Sequence, residues 1–389
     1  MKLVLLGAGK QARGALSYFQ LTNFPIDEIK VVDRDESLAR NLVEEFQKPV
    51  VKLSSDKSPS ISYGCLDASN LDDCISLLRG YDLAFNALPF FLALNITKAA
   101  IHAQCNLVDL GGNNEVVEKQ RELNDQAVLA GVKIIPDCGL APGLVSLLVS
   151  DALEASKIDK NIDVKIYVGG LPRHRAGAGV GPLEYGEFFS LEGLINEYTQ
   201  PVKVLRGGAI AEIEPLSECE EINICGETLE AFTTSGGSST MPETFKERIV
   251  NLQYKTLRFP GHLRCLKLLQ AIGSLNVATM SNLCEKDLDD QVFVKVVVSG
   301  NCLLGSRIVR TYSLRDVGSY YGGTTAMMRC TAWPAATILM MTHLESGFGT
   351  STVSVPGVHR QENAVDPGAV IDLLKRINLK ISIKETVTR

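Results

Sequence analysis

The chain has 389 residues, a formal net charge of -6 and a hydrophobic content of 45%. This length predicts two domains, and the composition is typical of globular rather than disordered proteins. No cluster of basic residues and no apolar run of about 18 residues occurs, so we expect neither a nucleic-acid nor a membrane partner. Because the cysteines are scattered and the N-terminus lacks a signal-peptide pattern, we expect a cytoplasmic protein without a metal site.

The N-terminal part of the chain alternates short apolar strands with amphipathic helices. This pattern is typical of a parallel sheet with helices on both faces, and it predicts an α/β fold with a Rossmann-type doubly wound sheet. The predicted strands are residues 3–6, 29–32, 63–66, 81–85, 106–109 and 132–135.

The pattern changes near residue 160, where apolar and polar residues begin to alternate with a period of two. The clearest example is residues 292–298, in which valines occupy every second position. Such alternation predicts an α+β domain with a mostly antiparallel sheet. We therefore predict a dinucleotide-binding domain over residues 1–155, completed by C-terminal helices within 325–389, and a substrate domain over residues 156–324.

A glycine-containing turn follows the first predicted strand and opens the first helix. Gly7 permits the tight turn, Gly9 lets a pyrophosphate approach the backbone, and Ala12 allows close packing of helix on strand. A glycine turn that binds nothing is the alternative. The residues of this turn expected to contact the cofactor are Gly7, Gly9, Lys10, Gln11 and Ala12.

The cofactor preference depends on the end of the second strand. Asp33 lies about 20 residues beyond the glycine turn, where a carboxylate accepts hydrogen bonds from the ribose hydroxyls of NAD. Arg34 could instead pair with the 2'-phosphate of NADP. Because a carboxylate repels that phosphate, the sequence favours NAD over NADP.

Polar residues follow several other predicted strands, at the edge of the sheet where such folds bind ligands. We place Asp67 and Ala68 near the adenine, and Asn86, Ala87, Leu88 and Pro89 near the nicotinamide ribose. Asp109 and Cys138 are expected near the reacting atoms. Each of these residues could alternatively form only a turn or a helix cap.

Two segments of the second domain carry groups suited to an amino-acid substrate. Tyr185, Glu192 and Asn196 could hold a polar substrate, although the sequence alone favours an amphipathic helix with solvated acids. Arg258 could bind a carboxylate through two parallel hydrogen bonds. His262 follows Arg258 in a turn that contains Pro260 and Gly261. A single loop histidine is more often structural, but histidine titrates near neutrality and no other histidine lies in such a polar turn, so His262 is the best candidate for the general base.

Several of these segments together resemble the saccharopine dehydrogenase-like family, and within it most closely the lysine 6-dehydrogenase branch. The resemblance extends over nearly the whole chain. The segments that carry it are the Gly7–Gly9 turn and residues 86–89, 109–112, 136–143, 190–198 and 255–262. It implies an NAD(P)-binding domain, a second domain that also forms a homodimer, and chemistry at a carbon–nitrogen bond.

The resemblance leaves three hypotheses for the function. The first is NAD-dependent oxidative deamination of the ε-amino group of L-lysine, with His262 as base, Asp109 orienting the amine and Arg258 holding the α-carboxylate. The second is a reductase of the saccharopine or carboxynorspermidine type, which condenses an amine with a carbonyl acid. This reaction would favour a second carboxylate-binding arginine, Arg173 or Arg175. The third is an NAD-binding protein without catalytic activity.

Overall fold

The computed structural model describes residues 1–22, 24–47, 59–174, 183–286, 289–318, 323–343 and 355–388. The strands are β1 (Lys2–Leu6), β2 (Glu28–Asp33), β3 (Ser60–Cys65), β4 (Leu83–Asn86), β5 (Asn106–Asp109), β6 (Lys133–Ile135), β7 (Lys160–Pro172), β8 (Val202–Arg206), β9 (Ala209–Ile213), β10 (Glu220–Ile224), β11 (Glu227–Thr233), β12 (Ile249–Arg258), β13 (Asp290–Asn301), β14 (Arg307–Val317), β15 (Gly357–Val358) and β16 (Ile381–Thr388). The helices are α1 (Lys10–Leu21), α2 (Glu36–Gln47), α3 (Leu71–Leu78), α4 (Ala93–Ala103), α5 (Asn114–Arg121), α6 (Asn124–Ala130), α7 (Val145–Ala155), α8 (Leu191–Thr199), α9 (Met241–Phe245), α10 (His262–Ala271), α11 (Val277–Leu283), α12 (Ala326–His343) and α13 (Pro367–Arg376).

The first of two compact units contains a parallel sheet. It consists mainly of Met1–Leu144 and Met328–Asn378. Within the described ranges its sheet has seven strands in the order β15-β6-β5-β4-β1-β2-β3. All neighbouring pairs in this sheet are parallel. This arrangement confirms the predicted Rossmann-type sheet.

The C-terminal helix α12 packs closely on α1 within this unit. A Cβ atom added to Gly14 would lie 2.8 Å from the Cβ of Ala332, so only glycine allows this approach. Nearby, the indole nitrogen of Trp333 donates a hydrogen bond of 3.0 Å to Oγ of Ser17. Both side chains are buried, and a satisfied polar pair of this kind fixes how the two helices align.

The second unit contains a mostly antiparallel sheet, as predicted from the alternating pattern. Its main path in the described residues runs β10-β11-β12-β7-β13-β14-β16; off this path, β8 pairs with β12 and β9 pairs with β8. Among the described strands of this sheet, β12 and β7 are the one pair that runs in parallel. On β12 the side chains alternate across the sheet, so Tyr254, Thr256 and Arg258 share one face.

The division of the chain differs from the prediction at two places. Helix α7, predicted to belong to the first domain, lies in the second unit, which begins at Val145. The chain from Leu379 onward also belongs to the second unit, because β16 pairs with β14 along residues 381–388. Most residues of this last strand are exposed, so apolar and polar residues do not alternate clearly along it.

Candidate active site

The glycine turn of the first unit has the geometry that a pyrophosphate requires. Gly7 has a φ of +96°, and a Cβ atom added to it would lie 3.2 Å from the carbonyl oxygen of Ala87. Gly9 caps α1 without any side-chain hydrogen bond, and a Cβ atom added to it would meet open space. The positive end of α1 therefore faces a space in which a side chain larger than hydrogen would intrude.

Asp33 is held against this turn. Its Oδ2 atom accepts a hydrogen bond of 2.9 Å from the backbone N–H of Ala8, and its Oδ1 atom accepts one of 3.0 Å from Asp35. The carboxylate thus lies at the end of β2 beside the glycine turn, as the sequence predicted. The adjacent Arg34 has an exposed side chain.

Two buried amides near this turn lack partners among the described residues. Asn86, at the end of β4, uses its Oδ1 atom to accept a 3.1 Å hydrogen bond from Leu88, but its Nδ2 atom has no acceptor. Neither side-chain atom of Gln11, in the first turn of α1, has a partner. Buried amides without partners are costly, so these groups indicate a polar ligand at this edge of the sheet.

The residues placed near the adenine have local partners. Asp67 is exposed and accepts hydrogen bonds from the backbone and hydroxyl of Ser69, which lower the pKa of its carboxyl. Ala68 is buried, and its carbonyl oxygen accepts a 2.7 Å hydrogen bond from Asn95. This geometry is that of a turn. The contact with an adenine stays a prediction.

Asp109 is buried and its carboxylate is fully engaged within the first unit. It accepts hydrogen bonds from the backbone of Gly111 at 2.8 Å, the backbone of Asp137 at 3.1 Å and the side chain of Gln120 at 2.6 Å. Burial raises the pKa of this carboxyl, although the three donors act in the opposite direction. This geometry favours a structural role for Asp109, which holds the loops at Gly111 and Asp137, over the predicted role of orienting an amine.

Cys138 is fully buried, and its thiol donates to the carbonyl oxygen of Ile135 at 3.3 Å. Burial, with a contribution from neighbouring carboxylates, raises the pKa of this thiol well above its usual value. A thiolate is the reactive form of cysteine, so this environment disfavours nucleophilic chemistry. The predicted catalytic role of Cys138 has no support in the geometry.

The first unit therefore fits a dinucleotide. The glycine turn, the open start of α1, the carboxylate at the end of β2 and the two unpartnered amides all lie at the carboxyl edge of the parallel sheet. The residues that would hold the cofactor there are Gly7, Gly9, Lys10, Gln11, Ala12, Asp33 and Asn86–Pro89.

The second unit contains a buried cation without an ion-pair partner. Arg258 is 3% exposed, and it donates from Nε to the hydroxyl of Tyr198 at 3.0 Å and from Nη1 to the carbonyl of Leu257 at 2.9 Å. It forms no ion pair with a carboxylate of the described chain. A buried charge is normally paired, and this exception indicates an anionic ligand.

His262 ends a chain of hydrogen bonds that starts at Arg258. Its Nδ1 atom lies 2.9 Å from the carbonyl oxygen of Leu183, which only accepts, so Nδ1 carries the proton. Its Nε2 atom then accepts from the Tyr198 hydroxyl at 3.2 Å. Burial, with the charge of Arg258, lowers the pKa of His262 to about 3. Since both ring nitrogens are engaged, the geometry argues against the predicted role of His262 as general base.

Two further polar groups of this cluster have no partner in the described residues. The ring of Tyr185 lies 4.4 Å from the guanidinium carbon of Arg258, and its buried hydroxyl makes no hydrogen bond. The carboxylate of Glu197, a half-buried residue beside Tyr198, likewise has no hydrogen bond or ion pair. Burial raises the pKa of Glu197 to about 7, although the charge of Arg258 opposes this shift.

Glu230 holds the turn that carries His262. It lies opposite Arg258 in the antiparallel pairing of β11 with β12. Its carboxylate accepts hydrogen bonds from the backbone of Gly261 at 3.0 Å and of Leu263 at 2.6 Å. These N–H groups belong to the start of α10, where a negative charge is stabilising.

The other predicted substrate residues lie apart from this cluster or have their own partners. Glu192 is exposed on α8, whereas Asn196 on the same helix is buried. Arg173 forms an ion pair of 2.9 Å with Asp289, both side chains being largely exposed. Arg175 lies outside the described residues.

Three residues of this cluster were not predicted from the sequence: Glu197, Tyr198 and Glu230. Tyr198 and Glu197 lie in residues 190–198, which carry part of the family resemblance. Helical periodicity alone does not show whether an acidic side chain faces a binding site or the solvent. Glu230 becomes visible only when the pairing of β11 with β12 is known. A signal was available for Tyr254 and Thr256, because period-two alternation places them on the same face as Arg258.

Two family models match the chain in sequence. The model described as saccharopine dehydrogenase NADP binding domain covers residues 3–135, and the one described as saccharopine dehydrogenase C-terminal domain covers residues 139–382. Among solved structures, the chain is similar to apo histidine-tagged saccharopine dehydrogenase (L-Glu forming) from Saccharomyces cerevisiae. The TM-score is 0.75 and the identity 17%, with 100% of both chains covered, so this likeness concerns the fold.

Curated relatives share the sequence over shorter regions. The mitochondrial alpha-aminoadipic semialdehyde synthase of Bos taurus is 22% identical over 288 residues, covering 71% of this chain and 28% of that protein. The same enzyme of Rattus norvegicus is 28% identical over 145 residues, covering 36% of this chain and 15% of that protein. The matched regions thus amount to less than a third of these relatives.

Proposed function

Because the chain belongs to the saccharopine dehydrogenase family of NAD(P)-dependent amino-acid oxidoreductases, we propose that it oxidises a carbon–nitrogen bond of an amino acid held by Arg258. The buried guanidinium without an ion-pair partner is the observation that carries this proposal. A planar guanidinium binds a carboxylate through two parallel hydrogen bonds, and the pairing removes the cost of the buried charge.

The first candidate reaction is the oxidative deamination of the ε-amino group of L-lysine. In its support, Arg258 is suited to one carboxylate, whereas the described Arg173 is already paired with Asp289. When bound, the nicotinamide dinucleotide accepts the hydride. An alkylammonium has a pKa of about 10.4, and hydride can leave its carbon only after the nitrogen loses a proton. Burial of the reacting amine on ligand binding would favour its neutral form.

The second candidate is the reversible condensation of an amine with a carbonyl acid, as in saccharopine synthesis. The name of the yeast structure and the names of the curated relatives favour it. This reaction requires a site for a second acidic substrate.

NAD is the proposed cofactor. The carboxylate of Asp33 beside the glycine turn suits the ribose hydroxyls of NAD and repels a 2'-phosphate. The matching family model is described as an NADP-binding domain. The affinities for NAD and NADP must therefore be compared directly.

A panel of substrates separates the candidates. The formation of NADH and NADPH is measured with L-lysine, L-saccharopine and polyamines, and the reverse reaction with amine and carbonyl acid together. Turnover of L-lysine with ammonia release supports the first candidate. Turnover only of saccharopine, or only of the paired substrates, supports the second. Tight NAD binding without turnover of any amine would contradict both.

A further inference from the structure

The cluster around Arg258 contains one cation and one carboxylate that do not pair with each other. Arg258 and Glu197 influence each other electrostatically, but they form no ion pair, and the described residues offer neither of them another one. The hydroxyl of Tyr185, also buried here, has no partner either. Two opposite charges that influence each other without forming an ion pair indicate a ligand that bears both charges.

The backbone at Glu197 is hydrogen-bonded to the segment that follows β11. Its carbonyl oxygen accepts a hydrogen bond of 2.9 Å from the backbone N–H of Ser235, just after β11. The next residue, Tyr198, receives the hydrogen bond from Arg258 at the end of the adjacent strand β12. Glu197 is thus the chain neighbour of the tyrosine that Arg258 contacts, and the charges of Glu197 and Arg258 influence each other.

An α-amino acid carries its ammonium group on the carbon next to its carboxylate. If Arg258 binds the carboxylate, as the proposed function states, the ammonium group must lie within a few ångströms of the guanidinium. We propose that Glu197 binds this α-ammonium group and so selects α-amino acids over carboxylic acids and amines that lack one of the two charges. This inference rests on the proposed function and assigns a specificity-determining residue to it.

The ionisation of Glu197 accords with this role. The groups that interact electrostatically with Glu197 are Tyr185, Tyr198, Tyr254 and Arg258, and Arg258 in turn influences His262 and Cys284. Burial raises the pKa of the three tyrosines and of Cys284, and it lowers that of His262, so all five are neutral near pH 7. The pKa of Glu197 is about 7, so its carboxyl is only partly ionised without ligand. An incoming ammonium group stabilises the carboxylate, and binding therefore releases a proton.

Binding measurements with matched ligand pairs test the proposal. Titration calorimetry with NADH present compares L-lysine with 6-aminohexanoate, L-2-aminoadipate with adipate, and L-glutamate with glutarate. The second member of each pair lacks only the α-amino group. The variants are Glu197→Gln, Glu197→Asp and, as a control on the same helix, Glu192→Gln, whose carboxylate is exposed.

We expect Glu197→Gln to weaken α-amino-acid binding at least tenfold without changing the binding of the matched acids. Wild-type affinity should rise between pH 6 and pH 8, and Glu197→Gln should abolish this dependence while Glu197→Asp retains it. Equal losses for both members of a pair, or no loss, would overturn the role of Glu197. Wild-type protein that binds none of the α-amino acids would instead overturn the proposed function, and this inference with it.

Discussion

The hydroxyl group of Tyr198 lies 3.2 Å from Nε2 of His262, and the guanidinium of Arg258 donates to that hydroxyl from the other side. The three side chains thus form a directed chain of hydrogen bonds that ends at the carbonyl oxygen of Leu183. In this arrangement His262 serves to orient Tyr198, and Tyr198 orients Arg258. The histidine that seemed suited to move protons is a positioning residue.

The first prediction concerns the protonation of His262. Because its pKa in the folded protein is about 3, its ring signals should not titrate between pH 5 and pH 8 in NMR spectra. A His262→Gln variant identifies the signals. A titration midpoint between pH 6 and pH 7 would contradict the burial and hydrogen bonding described for this ring.

The same shift has a consequence for stability. The folded pKa lies below the usual value of 6.5, so the unfolded state binds more protons between pH about 3 and 6.5. His262 therefore makes the free energy of unfolding rise with pH in this window, by up to about 1.4 kcal/mol per pH unit. The raised pKa of Glu197 acts in the opposite direction between pH 4.5 and about 7. The difference between wild type and His262→Gln in urea unfolding isolates the histidine contribution.

The second prediction separates binding from stability at Arg258. Replacement by methionine removes a buried charge that has no ion-pair partner in the described residues, so the melting temperature should change by no more than a few degrees. Binding of the substrate carboxylate should lose about 2 kcal/mol or more, which raises KM at least about 30-fold. Unchanged KM in steady-state kinetics would show that Arg258 does not bind the substrate.

The third prediction compares valine substitutions at Gly9, the N-cap of α1, and at Gly14, within the helix. A Gly9→Val side chain would enter open space, so the protein should keep its melting temperature but bind NAD at least tenfold more weakly. Gly14→Val is the matched contrast, because its Cβ atom would lie 2.8 Å from the carbonyl oxygen of Met328. This variant should melt at a clearly lower temperature. Equal NAD affinity of wild type and Gly9→Val would contradict the assignment of the pyrophosphate site.

The fourth prediction concerns cofactor choice. Asp33→Ser removes the carboxylate beside the glycine turn, so NAD binding should weaken about tenfold, equivalent to about 1.4 kcal/mol, while NADP binding improves or stays the same. The control is Asp35→Ser, an exposed carboxylate whose hydrogen bonds are to the backbone and hydroxyl of Ser37. Fluorescence titration with the reduced cofactors gives both affinities. A parallel loss for NAD and NADP would mean that Asp33 only stabilises the turn.

Much of the fold could be predicted from the sequence, because its periodicities reflect burial directly. The parallel sheet, the glycine turn and the alternation on β13 follow from local patterns. Strand β16 could not be predicted, since it is an exposed edge strand whose place depends on pairing with β14. Short-range patterns carry no information about such distant partners.

The candidate site could be predicted only in part, for a related reason. Arg258 was recognised because a cation in a Pro-Gly turn is chemically distinctive. The raised pKa of Cys138 and the low pKa of His262 result mainly from burial by residues distant in sequence, which no motif reveals. For Glu197 and Glu192, five residues apart on one helix, only the tertiary structure shows which carboxylate lies beside the arginine.

The last strand of the parallel sheet, β15, pairs with β6 and lies more than 200 residues after it in the chain. During synthesis on the ribosome, the cofactor-binding sheet therefore stays without its edge strand until most of the protein has been made. At about 5–20 residues per second, this delay lasts roughly 10 to 45 seconds. Throughout that time β6 has an open edge, and for most of it α1 lacks its covering helix α12, so the newly made N-terminal part exposes an unpaired strand edge.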